Sequence, residues 1–281
     1  MTRLAQIQSR IAGMDELLDI VGAMRSLAGM RIQEAQRSLP AIHRYAEAMA
    51  AAIGATLRLM PEPPPEARAA GARRALVLCT AEHGFVGGFN ERLAEAAGPL
   101  SPADSLFVLG SRGAVLFFER GPTPAWSAPM ASRPAGALDT VRRLAAELYR
   151  RIAAGRIARV EILYACYHQG EAPRIERRLL LPPDLHALAA DAAGSVPLHN
   201  LEPGALLEKL IAEYVFALLT EAAVESIASE NAARFAAMES AHENVGKKLD
   251  VLRHAARQAR QAEITEELID LVTGAEALAR A

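Results

Sequence analysis

Stepping by alternating threes and fours from Leu4 reaches Ile7, Ile11, Met14, Leu18, Val21, Arg25, Ala28, Ile32, Ala35, Leu39, Ile42, Ala46, Met49, Ile53 and Thr56. Only Arg25 and Thr56 interrupt the apolar row. An apolar position every 3.5 residues over this many heptads is the mark of a coiled coil. It predicts one helix over Arg3 to Arg58, about 80 Å long. A compact globule of this chain length has a radius of gyration of roughly 19 Å. Such a helix must project from a globular body and needs a partner along its length. Pro61-Glu62-Pro63-Pro64-Pro65 then breaks it.

A second long helical stretch opens at Pro203. No proline follows before Ala279, and Gly246 and Gly274 are its interruptions beyond the first turn. Unbroken, it would run about 110 Å. Its apolar row reads Val245, Leu249, Leu252, Ala256 and Ala259, then jumps to Ile264, Leu268, Leu271, Ala275 and Leu278. That jump is a stutter, where a coiled coil changes its winding. Many alanines between Ala222 and Ala241 permit close helix approach. The two terminal helices are each other's expected partners.

Between them the period changes. Ala75 to Cys79, Leu106 to Leu109, Val160 to Cys166 and Ile175 to Leu181 read as short strands. A glycine turn at Gly84, Gly87 and Gly88 follows the first strand, with Asn90 as the expected cap of a helix to Ala97. Further helices are expected after Gly110-Ser111-Arg112-Gly113 and over Asp139 to Ala154. Gly121 to Pro134 reads as irregular, and Asp184 to Pro203 as a linker. The expected architecture is an α/β knob, with a small, largely parallel Rossmann-like sheet, on a long antiparallel two-helix coiled coil. Its expected parts are residues 1–60, 73–200 and 203–281.

Composition adds exclusions. The chain has 281 residues, 51% hydrophobic and 23% charged, with net charge −2, so no global basic charge argues for nucleic acid. Two cysteines, Cys79 and Cys166, lack CxxC spacing and read as buried thiols in a reducing compartment. Met1 to Arg10 carry no apolar signal core, and no run of about 18 apolar residues predicts a membrane span. The seven histidines form neither HExxH nor a metal-spaced cluster.

The glycine turn is spaced G-x-x-G-G, unlike the dinucleotide fingerprint. No acidic residue ends the second strand, and no lysine precedes Lys209. Positive φ in a tight turn is the simpler reading. No catalytic constellation is present, and no cofactor is expected. On the last helix, Lys247, Lys248, Arg253, Arg257 and Arg260 precede Glu263, Glu266, Glu267 and Asp270. Paired bands of opposite charge either keep a helix soluble or set register against a partner.

Several segments, in order along the whole chain, resemble one family. Ala259-Arg260-Gln261-Ala262-Glu263-Ile264-Thr265-Glu266-Glu267-Leu268, continuing to Val272-Thr273-Gly274-Ala275, is similar to the C-terminal signature of the gamma subunit of F-type ATP synthases. Ser229-Glu230-Asn231-Ala232-Ala233-Arg234 with Met238 resembles that family's S-E-x-x-A-R stretch. Gly84 to Asn90 resembles its glycine turn, and Ile7 to Ile11 and Ala23-Met24 its N-terminal motifs.

The resemblance implies a non-catalytic rotor shaft. Its coil enters a hexamer of alpha and beta subunits. Its knob joins the epsilon subunit and the membrane c-ring, on the cytoplasmic face of a bacterial inner membrane. ATP is held by alpha and beta. Arg260 and Gln261 are implied to meet a catch loop of beta, and Met24, with Arg25 beside it, to face beta. Asp19 and Gly22 stand where the family carries lysines, Arg25 where many members are acidic, and Val86 where a small residue or Cys is usual. An alternate, sodium-type bacterial branch stays open beside the standard one. The other class of function left open is a nucleotide-binding α/β protein with a coiled-coil dimerisation arm.

Overall fold

The computed structural model describes residues 3–60, 73–171, 173–190 and 198–279. The elements are α1 (Arg3–Leu57), β1 (Arg74–Cys79), α2 (Phe89–Ala97), β2 (Ser105–Leu109), α3 (Ser111–Arg120), β3 (Trp126–Ala128), α4 (Pro134–Ala153), β4 (Arg159–Cys166), β5 (Arg174–Leu181), α5 (Leu185–Ala190) and α6 (Pro203–Ala279). They divide into two compact units, Met1–Leu27 with Phe235–Ala281, and Ala28–Arg234. The expected proline breaker at 61–65 lies outside the described residues.

In the first unit, α1 and α6 pair antiparallel. Arg25 Nη1 lies 2.9 Å from Glu239 Oε2, and Arg253 Nη2 lies 3.1 Å from Asp15 Oδ1. Both helices rise equally per residue, so Arg3 falls opposite about residue 265. This limit explains a correction to the expected seam. Val245 and Leu249 are buried and Leu252, Ala256 and Ala259 half-buried, as a seam requires. Ile264, Leu268 and Leu271 are 50%, 56% and 69% exposed, at and beyond the level where the described part of α1 begins. Leu278 falls where side chains are not described.

The second unit is built on a five-stranded sheet of order β3-β2-β1-β4-β5. β1 pairs in parallel with β2 and β4, β2 pairs in parallel with β3, and β5 runs antiparallel to β4. Successive strand residues point to opposite faces. Ala75, Val77, Cys79, Phe107, Leu109, Ile162 and Tyr164 therefore pack with α4, with Ala35, Leu39 and Ala46 of α1, and with Val215 to Ala228 of α6. Leu76, Leu78, Leu106, Val108 and Leu163 face Phe89 and Leu93 of α2 and Ala114 and Phe117 of α3. Each fully buried leucine or phenylalanine stabilises the fold by about 1.5–3 kcal/mol. Buried Glu161 is matched by Arg74, Arg159 and Arg177.

Two expectations are corrected here. The segment read as irregular contains β3, three residues paired to Phe107–Leu109. The segment read as a linker contains the short helix α5. Both are too short to show a period.

Candidate functional site

The strand order reverses between β1 and β4. In open α/β sheets, the crevice beyond the carboxyl ends of the strands at this switch point is where ligands bind. In this chain α6 fills it. Ser226 Oγ donates to Cys79 O, and Ser229 Oγ to Ala165 O, both at 2.8 Å. These two carbonyls end β1 and β4. Glu225 accepts the Tyr167 N–H at 3.1 Å. Burial raises the pKa of the Glu225 carboxyl, opposed by that bond and by His43 and His168.

The glycine turn is held by the same helix. Glu230 accepts the N–H groups of Glu82 and His83 at 3.1 and 3.3 Å. Arg234 donates to Gly84 O at 3.2 Å and His83 O at 3.3 Å, and also to Glu230 and Asn231. Glu82 accepts from Ser111 N at 3.0 Å, Ser111 Oγ at 2.7 Å and Met130 N at 2.8 Å. Amide N–H groups in such turns are the usual cradle for a phosphate. Here each of these donors already has an intramolecular carboxylate.

Asn90 departs from expectation. It lies inside α2 and does not cap it; Gly88 occupies the cap position. Asn90 is buried, and its Oδ1 accepts the Ala81 N–H at 2.9 Å. Within the turn, Gly87 has φ +56° and Phe85 φ +61°, so positive φ is met at one of the three glycines and at one residue that composition did not flag. Phe85 is 67% exposed. Past β2, Gly110 has φ +108°, and a Cβ on Gly110 or Gly113 would collide with Thr80.

The helix pair presents the remaining candidates. Met24 is half-buried, and the Arg25 side chain is turned to Glu239. Arg260 and Gln261 are exposed, next to the uncovered row that begins at Ile264. A cavity of about 710 Å³ between the helices is lined by Arg10, Gly13, Met14, Lys247, Lys248, Val251 and Leu252. Among the described residues, no group of three or more His, Cys, Asp or Glu is placed to hold a metal. No described helix is long and apolar enough to cross a membrane.

Sequence reading did not single out Glu82, Glu225 or Ser226. Ser229, Glu230 and Arg234 stood out only through the resemblance. Their partners are main-chain groups far upstream, which leave no local signal.

The family model described as ATP synthase matches residues 3–278. The chain belongs to the ATP synthase gamma family. The ATP synthase gamma chain of Streptomyces avermitilis is 30% identical over 297 residues, covering 99% of this chain and 97% of that relative. The gamma chain of Chlorobaculum tepidum is 28% identical over 291 residues, with 99% of each chain covered. A chain of the Euglena gracilis mitochondrial ATP synthase rotor, in rotational state 1, superposes with TM-score 0.63 over 93% of this chain and 98% of its own. At 14% identity that likeness speaks for the fold. Gamma-family membership gives the filled crevice a plain meaning. The sheet serves here as a mount for a helix.

Proposed function

We propose that this gamma subunit is the central rotor shaft of an F-type ATP synthase. It couples ion-driven rotation of the membrane c-ring to the conformational cycle of the catalytic beta subunits. Alpha and beta subunits surround the helix pair, and epsilon and the c-ring hold the sheet unit. The chain is peripheral to the membrane and contributes no catalytic group; nucleotide belongs to the hexamer.

The observation that carries this reading is the uncovered end of α6. Ile264, Leu268, Ile269, Leu271 and Val272 are all half or more exposed, with no helix among the described residues covering them. A contiguous apolar surface of this kind marks an interaction site that a partner covers. Arg260 and Gln261 sit at its border, where a polar catch on beta would meet them.

The test is a complex reconstituted with Arg260→Ala and Gln261→Ala. Coupled ATP turnover should fall while the isolated chain keeps its unfolding midpoint, because both side chains are exposed. Wild-type turnover would remove these two residues from the coupling contact.

A further inference from the structure

The two shaft helices are attached to the sheet unit by different chemistry. Along α6, Glu225, Ser226, Ser229, Glu230 and Arg234 all bond to main-chain atoms at the ends of β1 and β4 or in the turns that follow them. At 100° per residue these five positions cover about half of the helix circumference. Ser226, Ser229, Glu230 and Arg234 are all buried. Hydrogen bonds weaken steeply with angle, so bonds spread over that arc oppose both rotation of α6 about its axis and sliding along it.

α1 is held otherwise. Arg31 donates to Ser132 O at 2.6 Å. Tyr45 reaches Glu213, and His43 reaches Glu221, but both glutamates belong to α6 itself. Ala35, Leu39 and Ala46 of its face lie in the apolar core, with Ile42 packed against them. Apolar contact is non-directional and resists twisting far less than a set of directed bonds.

We infer that α6 alone carries torque between the sheet unit and the shaft, with Ser226, Ser229, Glu230 and Arg234 as the positioning residues that take the load, and that α1 follows. This rests on the shaft reading above and says which helix transmits.

The experiment uses the assembled complex in vesicles. Three variants are compared: Ser226→Ala with Ser229→Ala, Glu230→Gln, and Arg31→Ala with Tyr45→Phe on the α1 side. ATP synthesis under an imposed ion gradient and ATP hydrolysis are measured on the same preparations. The two α6 variants should lose synthesis several-fold relative to hydrolysis, and the α1 variant should keep the wild-type ratio. A merely structural role lowers the yield of complex and both activities together, leaving the ratio unchanged. Wild-type ratios in both α6 variants, or an equal loss in the α1 variant, would overturn the inference.

If the α6 variants do not assemble, the α1 variant still decides. The angular spread of a bead tethered to the sheet unit, with the shaft locked in the hexamer, should match wild type. A widened spread sinks the inference. A complex lacking this chain that still makes ATP under a gradient would refute the shaft reading itself, a separate outcome.

Discussion

Arg25 of α1 donates to Glu239 of α6 at 2.9 Å, with about a third of one side chain and less than half of the other left in water. Solvent screening limits such a pair to about 0.2–1 kcal/mol. Arg25→Glu should cost at least that much, because two like charges then face each other. The swap Arg25→Glu with Glu239→Arg should recover most of the loss. Urea unfolding of the four members of the cycle measures it, and added salt should shrink the coupling. A swap no better than the single change would mean the pair contributes nothing.

Gly113 has no room for a side chain. A Cβ there meets Thr80, which is itself fixed by a 2.6 Å bond to Leu109 O. Gly113→Ala should lower unfolding free energy by about 1–3 kcal/mol through overpacking. Gly155 also has positive φ, +66°, but nothing lies within 4 Å of its would-be Cβ. Gly155→Ala should carry the backbone strain alone and cost less. Equal losses in chemical denaturation would contradict the steric account.

Glu147 gives α4 an acid-sensitive grip. The Arg150 hydrogen bond, aided by Arg151, holds its carboxyl down to about pKa 2 against burial, which acts the other way. A depressed carboxylate stabilises the fold above its unfolded pKa, about 4.3. That contribution fades as pH falls from there toward 2. The gap in melting temperature between wild type and Glu147→Gln should therefore be largest near neutrality, shrink below about pH 4 and close only as pH falls through about 2. A gap that stays constant across this window would remove Glu147 from the acid response.

Cys79 is fully buried at the end of β1, and burial pushes its thiol up to about pKa 12. Cys166 is raised to about 12 as well, chiefly by burial. Thiolate is the reactive form. Iodoacetamide at pH 8 should label neither residue in the folded chain and both after unfolding in guanidinium, read by intact mass. Fast labelling of the native chain would mean the β1 end opens locally.

Much of the helix pair was legible from residue spacing. Every seam position from Leu4 to Thr56 is buried or half-buried, including the two polar ones, Arg25 and Thr56. Periodicity records burial well when the partner runs the whole length. It failed from Ile264 on, where the pattern continues at and past the level of the described start of α1. Whether Leu268 has a partner depends on where another segment starts. The strands with four or more apolar residues were legible, whereas β3, only three residues long, was not. Asn90 shows a different limit. Its position before a helix fits a cap, yet its amide serves Ala81 instead, a tertiary bond that overrides a local preference.

The joint at the strand ends was the least visible part. Glu230 and Arg234 are spaced i, i+4, which also describes an ordinary pair on a wet helix. Their burial, and the turn they hold about 150 residues upstream, come only from the fold. Helix spacing could not have distinguished the two.

Glu82 and Glu230 occupy, as carboxylates, the positions that a bound anion takes elsewhere on sheets of this kind. The chain has made its own side chains the permanent guest of its binding crevice. An evolutionary consequence follows. A substitution of Glu230 that frees the Glu82 and His83 amides for a diffusible ligand also removes a bond that fastens α6, so a new binding activity at this place and a loosened helix arrive in the same step. The most adaptable corner of the architecture is thereby closed to innovation for as long as the helix must stay attached.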